Sequence, residues 1–127
     1  MRDPRRGFTL VELLVVIVII GVLAAIAIPR FANTTAKANV AAVKSDLRNL
    51  ATAQEGYFYD HATYAPSLAL LNVSTSPGVT LTIVESTPNG WSATAVHPAA
   101  VPVTCAIFYG AASPVAPATI AGQVACR

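Results

Sequence analysis

The run from Phe8 to Ile28, FTLVELLVVIVIIGVLAAIAI, constrains this chain more than any other stretch. Twenty-one residues pass with one ionisable side chain, Glu12. As a helix rising about 1.5 Å per residue the run spans roughly 32 Å, close to the hydrocarbon thickness of a bilayer. It also explains the composition of the 127-residue chain, in which 54% of residues are hydrophobic and only 11% charged. The excess charge sits at one end as well. Arg2, Arg5 and Arg6 against Asp3 give 3 − 1 = +2, while the rest carries five cations and five acids. Basic residues crowded before the run place that end on the cytoplasmic side. The remainder is neutral and holds no basic patch of the kind that binds nucleic acid.

A secretory signal peptide fits less well. The apolar run is too long, and Ala25 and Ala27 give only a faint A-x-A match. Glu12 is the anomaly, because a carboxylate in hydrocarbon is costly and marks a function. Pro29 cannot donate to the carbonyl four residues earlier and is expected to kink or open the helix; Gly21 is a second weak point.

Beyond Pro29 the apolar residues Ala36, Val40, Val43, Leu47, Leu50, Gln54 and Phe58 recur at helical spacing, with Gln54 the one polar interruption. Lys37, Lys44, Arg48 and Glu55 occupy the other face, and the period breaks at Asp60-His61. Strands are expected where apolar and polar residues alternate, at 79–83, 91–95 and 105–109, with a short fourth at 123–126. Thr87-Pro88-Asn89-Gly90 supplies a turn, Pro98 and Pro102 mark a link, and 66–78 and 111–121 are loops. The fold class is therefore α+β: a long N-terminal helix, apolar then amphipathic, packed on a small antiparallel sheet of about four strands.

Gly7-Phe8-Thr9-Leu10-Val11-Glu12-Leu13, behind a short basic leader and ahead of an apolar helix, resembles the N-terminal signal of bacterial type IV prepilins. LRNLATAQEGYFYDHATYA, further on, resembles the end of the long helix in the same family. The resemblance implies a leader at 1–7, a membrane and filament-core segment at 8–29 and a head at 30–127. It implies cleavage between Gly7 and Phe8 by a prepilin peptidase, then N-methylation of Phe8. It further implies that Glu12 of an incoming subunit meets the Phe8 amine of a neighbour, a pairing that offsets the desolvation of both charges. A contact within one chain is also within reach, since the two residues are i and i+4. The segment from Gly21 to Pro29 is expected to be helical in the isolated subunit and extended in a filament.

The implied function is a structural one. The chain would be the major subunit of a pilus, held in the inner membrane and polymerised into a surface filament serving adhesion, twitching motility or DNA uptake. Its partners would be further copies of itself, the peptidase, the inner-membrane assembly platform and minor pilins. A secretion-system pseudopilin or minor pilin is the alternative, although no aspartate cluster suggests the calcium site of major pseudopilins. A membrane-anchored binding domain that never polymerises belongs to a different class. In an exported head, Cys105 and Cys126 suggest a disulfide, which also matches the family's C-terminal loop. No metal or cofactor is expected. His61 and His97 are isolated, no hydrolase or phosphate-loop motif occurs, and no catalytic residue is assigned. Tyr57, Phe58, Tyr59 and Tyr64 form an aromatic group whose main expected role is packing under the sheet.

Overall fold

A computed structural model of the chain describes residues 7–100 and 103–127. The leader arginines Arg2, Arg5 and Arg6, and Pro102 of the expected link, lie outside the described residues. Helix α1 runs Leu10–His61, with Pro29 inside it. Four strands follow: β1 (Thr80–Thr87), β2 (Gly90–Val96), β3 (Thr104–Gly110) and β4 (Ala125–Cys126). They form one antiparallel sheet in the order β1-β2-β3-β4, so every neighbour in space is a neighbour in sequence. The chain divides between Thr35 and Ala36 into two compact units, each described by itself below.

In the first unit the helix is long and apolar enough to cross a membrane, and its apolar side chains are exposed along its length. The run stays helical through Gly21 and Pro29. Downstream of the proline, the Thr34 and Thr35 hydroxyls donate to the Arg30 and Phe31 carbonyls at 3.0 Å each. Such bonds compete with the helix ladder and bend it slightly.

In the second unit the amphipathic stretch packs on the sheet. Val43, Leu47 and Leu50 meet Leu81, Trp91, Ala93, Ala95, Cys105 and Ile107 in one cluster, completed by Tyr64 and Val79. The alanines of β2 leave room for the helix to lie close to the sheet, and Trp91 supplies the bulk. Its indole N–H has no acceptor among the described residues.

Pro88-Asn89 joins β1 to β2, and Thr87 pairs with Gly90 across the turn. The proline ring holds φ near −65°, so this cannot be one of the left-handed hairpin turns. Gly90 is required by a close approach: a Cβ there would meet the Ala112 amide at one side and the Tyr109 carbonyl at the other. β1 also slips register between Ile83 and Glu85, leaving Val84 outward and exposed. A bulge of this kind bends an edge strand and discourages pairing with other chains.

Two expectations need correction. The 66–78 stretch is not wholly loop, because Leu68–Leu70 forms a 3-10 turn; the Pro98–Ala100 link forms another. The 111–121 stretch is irregular but does not merely connect. It lies over the outer face of β3, where Ala118 and Val115 cover Ala106 and Phe108. Residues 105–108 are buried in succession as a result. The sheet is sandwiched between helix and loop. The fourth strand spans only Ala125–Cys126 and is held by the Cys105–Cys126 disulfide, which joins directly paired residues, and by two backbone bonds between Thr104 and Arg127.

Candidate assembly site

The start of α1 brings together the residues that the sequence singled out. Gly7 has open space around it, and Phe8 is 76% exposed. Thr9 precedes the first helical residue, and its hydroxyl accepts from the Glu12 amide at 3.2 Å. Glu12 returns the contact: its Oε2 accepts from the Thr9 amide and from the Thr9 hydroxyl, each at 2.8 Å. This is a capping box, in which two otherwise unpaired helix N–H groups are satisfied reciprocally. Among the described residues, Glu12 Oε1 accepts no hydrogen bond.

Glu12 is thus already engaged within its own chain, and Thr9 is a residue that sequence reasoning missed. The signal was present as T-x-x-E ahead of an apolar run. The capping box uses one oxygen and leaves the other facing outward at the exposed helix end. The carboxylate also sits in the first helical turn, where the helix dipole favours negative charge.

The head is tied to α1 through two buried polar side chains. Gln54 is fully buried (0% exposed) and pairs both ways with one residue: its Nε2 donates to the Ala65 carbonyl at 3.0 Å and its Oε1 accepts from the Ala65 amide at 2.8 Å. The side-chain amide acts as a neighbouring strand would, and pins the chain just after the helix. Asp46, 3% exposed, accepts from the Ser76 amide at 2.7 Å and the Ser76 hydroxyl at 2.9 Å. It fixes the approach to β1 in the same way.

The aromatic group is rearranged relative to expectation. Tyr59 is 91% exposed and packs under nothing. Tyr57 stacks on His61 with ring centroids 4.0 Å apart, while Phe58 stacks on Tyr64, which meets the edge of Tyr109. Burial raises the Tyr64 pKa, and the nearby Glu55 carboxylate, accepting from its hydroxyl at 3.3 Å, adds to the rise. His97 accepts from the Ala99 amide through Nδ1 at 3.0 Å, capping the short 3-10 turn. Among the described residues, His, Cys, Asp and Glu side chains do not gather in groups of three that could hold a metal.

Comparison with known proteins places these features. Residues 2–28 match the family model described as the prokaryotic N-terminal methylation motif. The chain is 47% identical over 64 residues to the type IV major pilin protein PilA of Myxococcus xanthus, a match covering 50% of this chain and 29% of that protein. It is 45% identical over 60 residues to the type IV major fimbrial protein FimA of Dichelobacter nodosus, covering 47% and 38% respectively. The aligned part thus spans about a third of these two curated relatives. A longer match, 38% identical over 96 residues, is to the type IV wide pilus major component PilA4 of Thermus thermophilus, covering 72% of this chain and 73% of that one. A match covering 72% of this chain exceeds the length of α1 and extends into the head, and on it the chain belongs to the type IV pilin family.

Proposed function

We propose that the chain is the structural subunit of a type IV pilus. The observation that carries this reading is the match to a wide pilus major component across 72% of the chain, since it extends well beyond the N-terminal motif. On this reading 1–7 is a leader removed by a prepilin peptidase between Gly7 and Phe8, and Phe8 is then N-methylated. Residues 8–29 serve first as the membrane anchor of the precursor and then as filament core, and 30–127 is the head. The assembly platform and minor pilins feed such subunits into a surface filament.

Glu12 has two tasks in this scheme. While the subunit waits in the membrane, Thr9 supplies hydrogen bonds to one carboxylate oxygen and lowers the cost of keeping it there. Cleavage creates a cationic amine at Phe8, and the Glu12 Oε1 of one subunit is open to the amine of another. Two charges leaving water together offset one another's desolvation, which neither does alone. Gly21 and Pro29 bracket the segment that would unwind when the helices pack, because both weaken the ladder there.

Mass spectrometry of material sheared from the cell surface tests the reading. An abundant peptide beginning at methylated Phe8 is expected. An intact leader confined to the membrane fraction would instead identify a static anchor. Glu12→Ala is expected to be processed but not assembled, and Gly7→Val to remain as uncleaved precursor; filaments of normal yield from either variant contradict the scheme. Similarity to the type II secretion system core protein G of Pseudomonas aeruginosa, 38% over 63 residues and 44% of that protein, favours a second reading as a pseudopilin. That reading predicts that the chain does not reach the sheared surface fraction at ordinary expression.

A further inference from the structure

Within the head, α1 carries Lys37, Lys44, Arg48 and Glu55 at spacings of seven, four and seven residues. At about 100° per residue these positions fall within roughly 40° of one another, opposite the buried Asp46. The result is a narrow stripe of three cations followed by one carboxylate. Among the described residues these four form no salt bridge within the chain. Their spacing explains this, because side chains on a helix meet at three or four residues, and Lys44 and Arg48 share a sign.

Glu55 does more than end the stripe. It stands at the rim of a groove of about 370 Å³ between α1 and the sheet, lined by Thr52, Glu55, Trp91, Ile107 and Tyr109 among others. Tyr109 is 44% exposed, so an aromatic ring and a carboxylate line the same groove. A carboxylate beside an aromatic face is the surface that suits a guanidinium or ammonium group. The same chain therefore bears the cations and a receptor for cations, at different heights along one helix face.

Glu55 lies about 10 Å along the helix axis from Arg48 and about 16 Å from Lys44. Resting on the reading that copies of the chain polymerise, we propose that the Lys44–Arg48 stripe of one subunit docks on the Glu55–Tyr109 groove of a neighbour displaced by about that distance along the helix direction. The contact pairs the cations of one copy with the carboxylate of the other, so it is heterologous. Charge complementarity selects the axial register, with the apolar helices supplying the adhesion.

The test expresses full-length variants in a pilus-producing host that lacks its own pilin, and measures the sheared fraction against the membrane fraction by immunoblot. Lys44→Glu with Arg48→Glu, and separately Glu55→Lys, are each expected to reduce filament yield by about ten-fold or more. All three substitutions together are expected to restore it to within about three-fold of the unsubstituted chain. Wild-type yield from either one-sided variant, or no restoration in the combination, overturns the proposal. Because Glu55 also accepts from Tyr64, Glu55→Gln is measured alongside; it keeps an acceptor and removes the charge, and wild-type yield from it likewise overturns the proposal. Absence of filaments from the unsubstituted chain would instead refute the polymer reading itself.

Discussion

Gln54 gives the sharpest check on how the head is held to its helix. Replacing it with leucine keeps the volume and removes both bonds to Ala65, a residue that is itself fully buried. The Ala65 N–H and C=O are then left without partners, at about 1–3 kcal/mol each. Leucine's larger transfer free energy offsets roughly 1–2 kcal/mol of that sum. A net loss of about 2–4 kcal/mol corresponds to a Tm lower by roughly 10–25 °C for a head of this size. Trp91 is the single tryptophan and is 1% exposed, so its fluorescence reports unfolding of the full chain in detergent. Gln54→Glu adds a pH dependence that a mere packing defect would lack. Protonated, the new carboxyl can donate to the Ala65 carbonyl and accept from its amide; ionised, it faces that carbonyl with no proton. Its folded pKa is therefore raised above the unfolded value of about 4.3. The sign follows: stability close to that of the parent below about pH 4, lost as the pH rises through the raised folded value. A Tm for Gln54→Leu within two or three degrees of the parent would refute the argument. So would a parent-minus-Gln54→Glu difference that does not grow with pH.

Asp46→Ala removes two charge-assisted bonds to Ser76 and is expected to cost about 2–4 kcal/mol, read by urea titration with the same fluorescence. Its largest effect on amide exchange should fall at Ser76 and Val79, ahead of β1. Replacing both Cys105 and Cys126 with serine releases a loop closed across 21 positions and is expected to cost about 3 kcal/mol. Amide exchange should rise across 106–125, where the loop covers the outer face of β3; unchanged protection there would refute the layering described above.

Local signals survive translation into the fold because they depend on neighbours in sequence. The apolar run, the G-F-T-L-V-E motif, the 36–58 stripe and the turn at Pro88-Asn89 each act over a few residues, and helix period and turn chemistry show in such windows. The capping box at Thr9 and Glu12 belongs to this class and is legible as T-x-x-E ahead of the apolar run.

The remaining features come from contacts between distant parts of the chain. Gln54 read as a flaw in an apolar stripe until Ala65, 11 residues on, supplied both of its partners. Asp46, which helical spacing alone left unassigned, is buried because Ser76, 30 residues on, satisfies its carboxylate. Phe108 sits out of phase with Ile107 in an alternating strand, and only the returning loop at Val115–Ala118 makes its burial intelligible. A polar side chain is buried when its hydrogen bonds are met there, and a strand is covered on both faces when a loop returns across it. Residue type and local spacing determined the elements of this protein, while tertiary structure decided which polar groups could leave water, because their partners are assembled only by the fold.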